Sequence, residues 1–177
     1  DPEPDALKVT AIGHQWWFEY QYEGLGTDGG TLITANELHV PIGRQVSISL
    51  ESVDVLHSFW VPQLVGKTDM IPGRIGKLHD FTPNEIGVFF GQCAEFCGSA
   101  HALMRFRVHV DSTADFDAWV AGQNTPPTTE PGTAAARGAA LFASCSGCHS
   151  ISGTTAQGRV GPDLTLFGER LTLAAGV

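Results

Sequence analysis

No apolar run in this 177-residue sequence approaches the ~18 residues that a membrane-spanning helix needs. The longest, such as VFF at 88–90 and AALFA at 139–143, suit a folded core. An initiating methionine and a secretory leader are also missing, so the sequence is expected to be a processed or trimmed soluble fragment. Basic charge is scarce: ten Lys and Arg stand against nineteen Asp and Glu, a formal net charge of −9. That balance argues against nucleic acid as a partner, because phosphate binding needs a basic face. It suits either solubility alone or steered encounter with a basic protein.

With 42% hydrophobic and 16% charged residues and a mean hydropathy close to zero, the composition is globular and can bury a core. The length allows one domain, or one and a smaller second. From Leu7 to Val110 the segments LKVTAIG, QWWFEYQYE, ELHVPIGRQVSISLES, LHSFWVP, GKLHDFTP, GVFFGQC and MRFRVHV are rich in β-branched and aromatic residues, with Gly, Pro, Asn and Asp between them. VSISLE and FRVHV alternate apolar and polar residues, as a strand with one face on a core does. These spacings predict a mainly β fold, a Greek-key sandwich or barrel. ADFDAWVAG predicts a short helix with Ser112 or Thr113 as N-cap and Gly122 as its stop. Residues 123–133, QNTPPTTEPGT, hold three prolines and read as a semi-rigid linker between a first domain, 1–122, and a second, 134–177. In the second, TAAARGAALFASCSGCHS suggests a helix capped by Thr133, with Ala140, Leu141 and Ala143 as packing positions. The 45 residues from Thr133 onward are few for an independent core.

The four cysteines form two close pairs, Cys93 with Cys97 and Cys145 with Cys148. Loops this short gain little from a disulfide, and close pairs point rather to a metal or cofactor. GQCAEFCGSAHALM, 91–104, has the spacing Cys-x3-Cys-x3-His-x2-Met. Thiolate, imidazole and thioether donors suit copper in an electron-transfer site. Cys97, His101 and Met104 reproduce the ligand order of a single-copper loop, with His57 in DVLHSFWVP as the natural second histidine. Cys93 is not required by such a loop. Two sulfurs can bridge two copper ions, each then taking one histidine and one weaker group: Met104 for one, and for the other a backbone carbonyl between the cysteines, with Glu95 at the midpoint. Zinc fits less well, since methionine is a poor zinc ligand. A Cys93–Cys97 disulfide would leave His101 and Met104 incidental.

DVLHSFWVP, GKTDMIPGR, GQCAEFCGSAHALM and the aromatic run GHQWWFEY together resemble the CuA domain of subunit II of the haem–copper cytochrome c oxidases, over residues 7–121. The resemblance implies a cupredoxin-like Greek-key β-sandwich holding two copper ions, with His57, Cys93, Cys97, His101 and Met104 as side-chain ligands and Glu95 as a carbonyl ligand. It implies that the centre accepts electrons from cytochrome c and passes them to the haem of subunit I, where oxygen is reduced and protons are pumped. It further implies that the Glu95 side chain reaches a Mg or Mn ion shared with subunit I, that Trp16 is the electron-entry residue, and that Asp69 and Arg74 face subunit I. The family's two N-terminal membrane helices are not in this sequence; the resemblance nonetheless implies a membrane-associated domain on the outer, periplasmic or extracellular, face of a bacterial plasma membrane. Where the family often has Trp-Tyr-Trp this chain has Trp16, Trp17 and Phe18, and the last two read as strand packing. His14, His39, His79 and His109 lie in no ligand-like cluster and read as surface or strand histidines.

CSGCH, 145–149, is the C-x-x-C-H pattern of c-type haem attachment, with Cys145 and Cys148 bonding the haem and His149 as proximal ligand. With Gly138, Leu141 and Phe142 before it and GPDL at 161–164 after it, the region is similar to class I cytochromes c. The methionines are Met70 and Met104, so the usual distal ligand downstream is missing, and truncation of a longer haem-bearing tail is expected. CuA and haem c on one chain resemble oxidases whose subunit II carries a fused cytochrome c, a built-in donor or a relay from another small carrier. Two other readings compete. A freestanding copper carrier has no use for GKTDMIPGR or Glu95, and a nitrous oxide reductase needs a multi-histidine site and a propeller for which this chain lacks length and histidines.

Overall fold

The computed structural model describes residues 2–125 and 128–175; Asp1, Pro126 and Pro127 of the expected linker, and residues 176–177 lie outside the described residues. Ten strands run β1 (Leu7–His14), β2 (Trp17–Tyr22), β3 (Leu32–Ala35), β4 (Glu37–Pro41), β5 (Val46–Ser52), β6 (His57–Val61), β7 (Val65–Met70), β8 (Gly76–Lys77), β9 (Gly87–Gln92) and β10 (Arg105–Asp111). They form two five-stranded sheets, ordered β3-β2-β1-β5-β8 and β4-β10-β9-β6-β7. β1 with β5 and β4 with β10 pair in parallel, and the remaining pairs are antiparallel. This is the mainly β, cupredoxin-like sandwich that the sequence implies.

Alternation decides which side chains meet between the sheets. In β5, Val46, Ile48 and Leu50 are buried while Ser47, Ser49 and Glu51 are half-buried, as a period of two requires. β10 sends Phe106, Val108 and Val110 inward in the same way. Under the 91–104 loop, the rings of Phe18 and Phe59 each lie 4.7 Å from that of Phe106, edge-on or tilted as aromatic quadrupoles prefer. Burying each such ring is worth roughly 1.5–3 kcal/mol. The packed aromatic floor fixes the ends of β2, β6 and β10, from which the site is built.

Four local expectations change. ELHVPIGRQVSISLES is two strands, β4 and β5, in opposite sheets, with a turn at Gly43 (φ 75°) between them. GKLHDFTP contributes only the two-residue β8 and an isolated bridge from Phe81 to Val46, while β3 and β7 form without a strong strand pattern. α1 (Thr113–Gln123) is capped by Ser112, whose Oγ accepts from the Asp115 N–H at 3.1 Å, and it continues through Gly122 to a C-cap at Asn124. Asn124 takes over because its side-chain amide donates to the Val120 and Leu25 carbonyls, at 2.9 and 2.7 Å. α2 (Ala134–Leu141) is capped by Thr133 but buries none of its residues, and Leu141 is 77% exposed. The expected packing positions therefore face outward, because no described element lies against that side.

Candidate metal centre

His57 opens β6 at the sandwich end where β9 hands over to the 93–104 loop, and it is fully buried. Two backbone constraints shape the loop: the Cys93 N–H donates to the Met104 carbonyl at 3.0 Å, and the Ala94 N–H donates to Ser58 Oγ at 2.8 Å. Within them the donors converge. Cys93 Sγ lies 3.8 Å from Cys97 Sγ, 3.9 Å from His57 Nδ1 and 3.1 Å from the Glu95 carbonyl oxygen. Cys97 Sγ lies 3.6 Å from His101 Nδ1 and 3.7 Å from Met104 Sδ. Each sulfur thus has its own histidine and its own weak donor, an arrangement fitted to two copper ions bridged by two thiolates. Cys93, Cys97 and Met104 are buried, while His101 is half-buried toward the surface.

The electrostatics favour losing one thiol proton readily. Burial raises the Cys93 pKa, but hydrogen bonds to His57 and to the backbone at Glu95 and Ser58 outweigh it and bring it down to about 6. Burial and the Cys93 charge push Cys97 the other way. A dication replacing both protons relieves that conflict. Asp54, three residues before His57, orients the buried imidazole: its Oδ1 accepts from Nε2–H at 2.8 Å, which turns Nδ1 toward Cys93. Burial alone would raise the Asp54 pKa, yet the hydrogen bonds from His57 and from the Val55 and Gln15 amides hold it below the usual carboxylate value.

Trp16 stands at the turn between β1 and β2, and its indole N–H donates to the Cys97 carbonyl at 3.1 Å; Gln15 Nε2 donates to the same oxygen at 2.8 Å. Phe18 is buried between the sheets, while Trp17, on the opposite face of β2, packs on His14. The Glu95 carboxylate turns away from the sulfurs to Lys67 at 3.1 Å, and Lys67 also pairs with Asp69 at 2.7 Å. Asp69 and Arg74 are exposed on the GKTDMIPGR segment, beside Ile71 and Ile75. Asp54, Gln15 and Ser58 escaped sequence reasoning. The one signal available for them was proximity in the chain to His57 and Trp16.

A second group of donors corrects the expectation for His39 and His109. Their ligand atoms and those of Glu37 lie within 4.8 Å of one another, and His109 is only 5% exposed. The two imidazoles stack face to face, 4.4 Å apart and 6° from parallel, with Trp119 on the far side of His39 at 4.4 Å. In-plane lone pairs of parallel rings do not converge on one ion, so this cluster is an aromatic stack rather than a metal cage. His39 Nδ1 is held by Asp111 at 2.7 Å. His14 stacks on Trp17 and His79 is exposed.

In the second segment Cys145 and Cys148 are exposed and free, and Leu141, four residues before Cys145, is bare as well. His149 Nδ1 lies 2.7 Å from the Pro162 carbonyl, which can only accept, so the proton is on Nδ1 and Nε2 is left as a lone-pair donor. A Cβ at Gly161 would sit 2.5 Å from His149 Cε1, so glycine is required for the imidazole to lie there. Two thiols, an oriented imidazole and a bare apolar face fit a covalently attached haem.

Residues 25–111 match the family described as cytochrome c oxidase subunit II, periplasmic domain, and residues 135–175 match cytochrome c. The cytochrome c oxidase subunit 2 of Alkalihalophilus pseudofirmus is 40% identical over 182 residues, covering 98% of this chain and 50% of that protein. That of Bacillus subtilis is 36% identical over 183 residues, again covering 98% and 50%. The chain thus spans about half the length of these relatives. The crystal structure of the periplasmic domain of subunit II of cytochrome oxidase (CoxB) of Bradyrhizobium japonicum superposes with a TM-score of 0.62 at 29% identity, covering 70% of this chain and 96% of that one. A mixed disulfide intermediate between a thioredoxin-like protein and subunit II of cytochrome c oxidase superposes with a TM-score of 0.57 at 30% identity, covering 70% and 94%.

Proposed function

Because the chain belongs to the cytochrome c oxidase subunit II family, we propose that it is the electron-entry module of a haem–copper terminal oxidase. It takes electrons from cytochrome c, external or fused, and hands them to the haem of subunit I, where oxygen is reduced to water and protons are pumped. The observation that carries this reading is the convergence of His57, Cys93, Cys97, His101, Met104 and the Glu95 carbonyl, with the two sulfurs 3.8 Å apart. When bound, the copper pair supplies a one-electron acceptor whose change in charge is spread over two metals. Cys93, Cys97, His57, His101, Met104 and the Glu95 carbonyl are the groups that would hold it. Asp54 keeps His57 in the donating tautomer, and the aromatic floor keeps water from the sulfurs.

Trp16 is the entry residue: its half-buried ring is one hydrogen bond from the carbonyl of a bridging cysteine. Phe96 and Leu103, 74% and 61% exposed, flank the loop and give a donor protein an apolar landing area. The net charge of −9 suits a basic donor. Asp69, Arg74 and the exposed Ile71 and Ile75 face subunit I. Glu95 reaches a Mg or Mn ion at that boundary, a role that requires its ion pair with Lys67 to give way. Cys145, Cys148 and His149 hold haem c in a cytochrome domain, 134–177, joined to the copper domain, 1–122, by the proline-containing 123–133 segment. Membrane attachment comes through the family's anchor helices, and the domain lies on the outer face of the membrane. Cys93 and Cys97 are free thiols 3.8 Å apart; a two-electron oxidant such as a small-molecule disulfide would join them, itself reduced to two thiols, and a dithiol reductant of the thioredoxin-like class would reopen the bond by thiol–disulfide exchange, becoming oxidised in turn.

Copper reconstitution tests the central part. Dialysed protein is expected to retain two copper ions per chain, and a Trp16→Phe variant to load equally while reducing more slowly with ferrocytochrome c. A single retained copper, or unchanged reduction in the variant, contradicts the corresponding assignment.

A further inference from the structure

The cytochrome segment lies against the copper domain through contacts that the linker does not require. Glu37, at the start of β4, is buried, and its Oε1 accepts from the Leu171 N–H, the Thr172 N–H and the Thr172 hydroxyl at 3.0, 2.8 and 2.8 Å. Next to it Asn36, buried with φ 62°, uses Oδ1 to accept from the Phe18 N–H at 2.9 Å and Nδ2 to donate to the Ala174 carbonyl. β4 covers the edge of β10 only from Arg107 onward. At the uncovered position the Arg105 N–H donates to the Ala175 carbonyl at 3.1 Å. Arg105 directly follows Met104, so the segment touches the backbone beside one of the proposed copper ligands.

Charge and shape follow the same division. A cleft of about 710 Å³ between the two parts is lined by Trp17, Glu19 and Glu37 from the sandwich and by Ser150, Arg159 and Arg170 from the segment. Burial raises the Glu19 pKa, but hydrogen bonds to His14 and Gln21 and the fields of His14 and Arg159 leave it lowered. Arg170, its charge disfavoured by burial, is supported by the fields of Glu37 and Asp163. The segment's side carries Arg159 and Arg170 among Asp163 and Glu169, and its two arginines feel the carboxylates of Glu19 and Glu37 across the cleft. With the segment in place, Phe96 and Leu103 stay exposed.

We propose that the Asn36–Glu37 corner and the open edge of β10 form a docking face for the chain's own cytochrome segment, holding it beside Met104 while the Trp16–Phe96 side stays free for an external partner. The purpose of this docking rests on the proposed electron-transfer role; its contacts do not. A segment fixed by one charged acceptor with three donors, a buried amide and an edge hydrogen bond has a defined register, where a linker alone gives only a raised local concentration.

Hydrogen–deuterium exchange on the full, copper-loaded chain tests it. The amides of Arg105, Leu171 and Thr172 are expected to be protected together. Glu37→Ala is expected to speed all three by about tenfold, since hydrogen bonds to a charged acceptor are among the stronger ones. The Val108 amide in the core should not change. Thr172→Pro removes two donors from the segment's side without touching the sandwich, and it must release Arg105 as well; this variant decides the matter where Glu37→Ala disturbs Val108. An Arg105 amide indifferent to Thr172→Pro, or unprotected in the parent chain, overturns the docking. The copper spectrum is read separately: coupled protection without a two-copper signal overturns the copper assignment alone.

Discussion

Asp54 is where a single side chain decides the quality of the metal centre. Its carboxylate holds the fully buried His57, a proposed copper ligand, and a buried imidazole without such a partner loses both orientation and basicity. Asp54→Ala is expected to weaken copper retention by about 10–100-fold in competition with a chelator. Equal retention would mean that packing alone orients His57. His109 makes a different kind of contribution. Burial, helped by the neighbouring His39 and Arg107 and opposed by Glu37 and Asp111, lowers its pKa below the ordinary 6.5. The unfolded chain therefore binds the proton first as pH falls from 6.5 toward the lowered folded value. Stability contributed by the neutral ring is present in full above 6.5 and declines through that window. Urea unfolding of His109→Leu should show a shallower loss of stability between about pH 7 and pH 5 than the parent chain, and an identical slope would contradict the assignment.

Among the elements, β9 and β10 are the frame of the loop, and Gly91 sets how closely they approach. A Cβ there would come within 2.3 Å of the Phe106 ring, in the aromatic floor and two residues before Cys93. Gly91→Ala is expected to lower the urea midpoint by the equivalent of about 1–3 kcal/mol, the usual cost of overpacking, and to weaken copper retention with it. The elements were unevenly legible in the sequence. β5 and β10 could be read because their alternation is strict and one face is buried. β7 could not, because only Met70 of VGKTDM is buried and its strand character comes from pairing with β6. The break of ELHVPIGRQVSISLES into two sheets is a long-range fact, since each half pairs in parallel with a strand distant in sequence. The proposed ligand set was legible for the opposite reason. Five of its six members lie within twelve consecutive residues, so spacing alone brings them together. Asp54 and Gln15 act across the fold, and no local pattern marks them.

At the scale of the whole molecule, two sets of redox-competent donors sit on one chain, one at the end of a sandwich and one in a short helical segment docked beside it. In the proposed arrangement the exposed Phe96 and Leu103 are left to an external donor, while Glu37 and Arg105 hold the segment on the flank. Everything in this arrangement depends on the claim that Cys93 and Cys97 bridge two copper ions. Electron paramagnetic resonance of the copper-loaded protein tests it most directly: the hyperfine pattern of one electron shared equally by two copper nuclei is predicted, with loss of that pattern in Cys93→Ser. A pattern from a single copper nucleus in the parent chain, or a shared pattern that survives Cys93→Ser, would contradict the account.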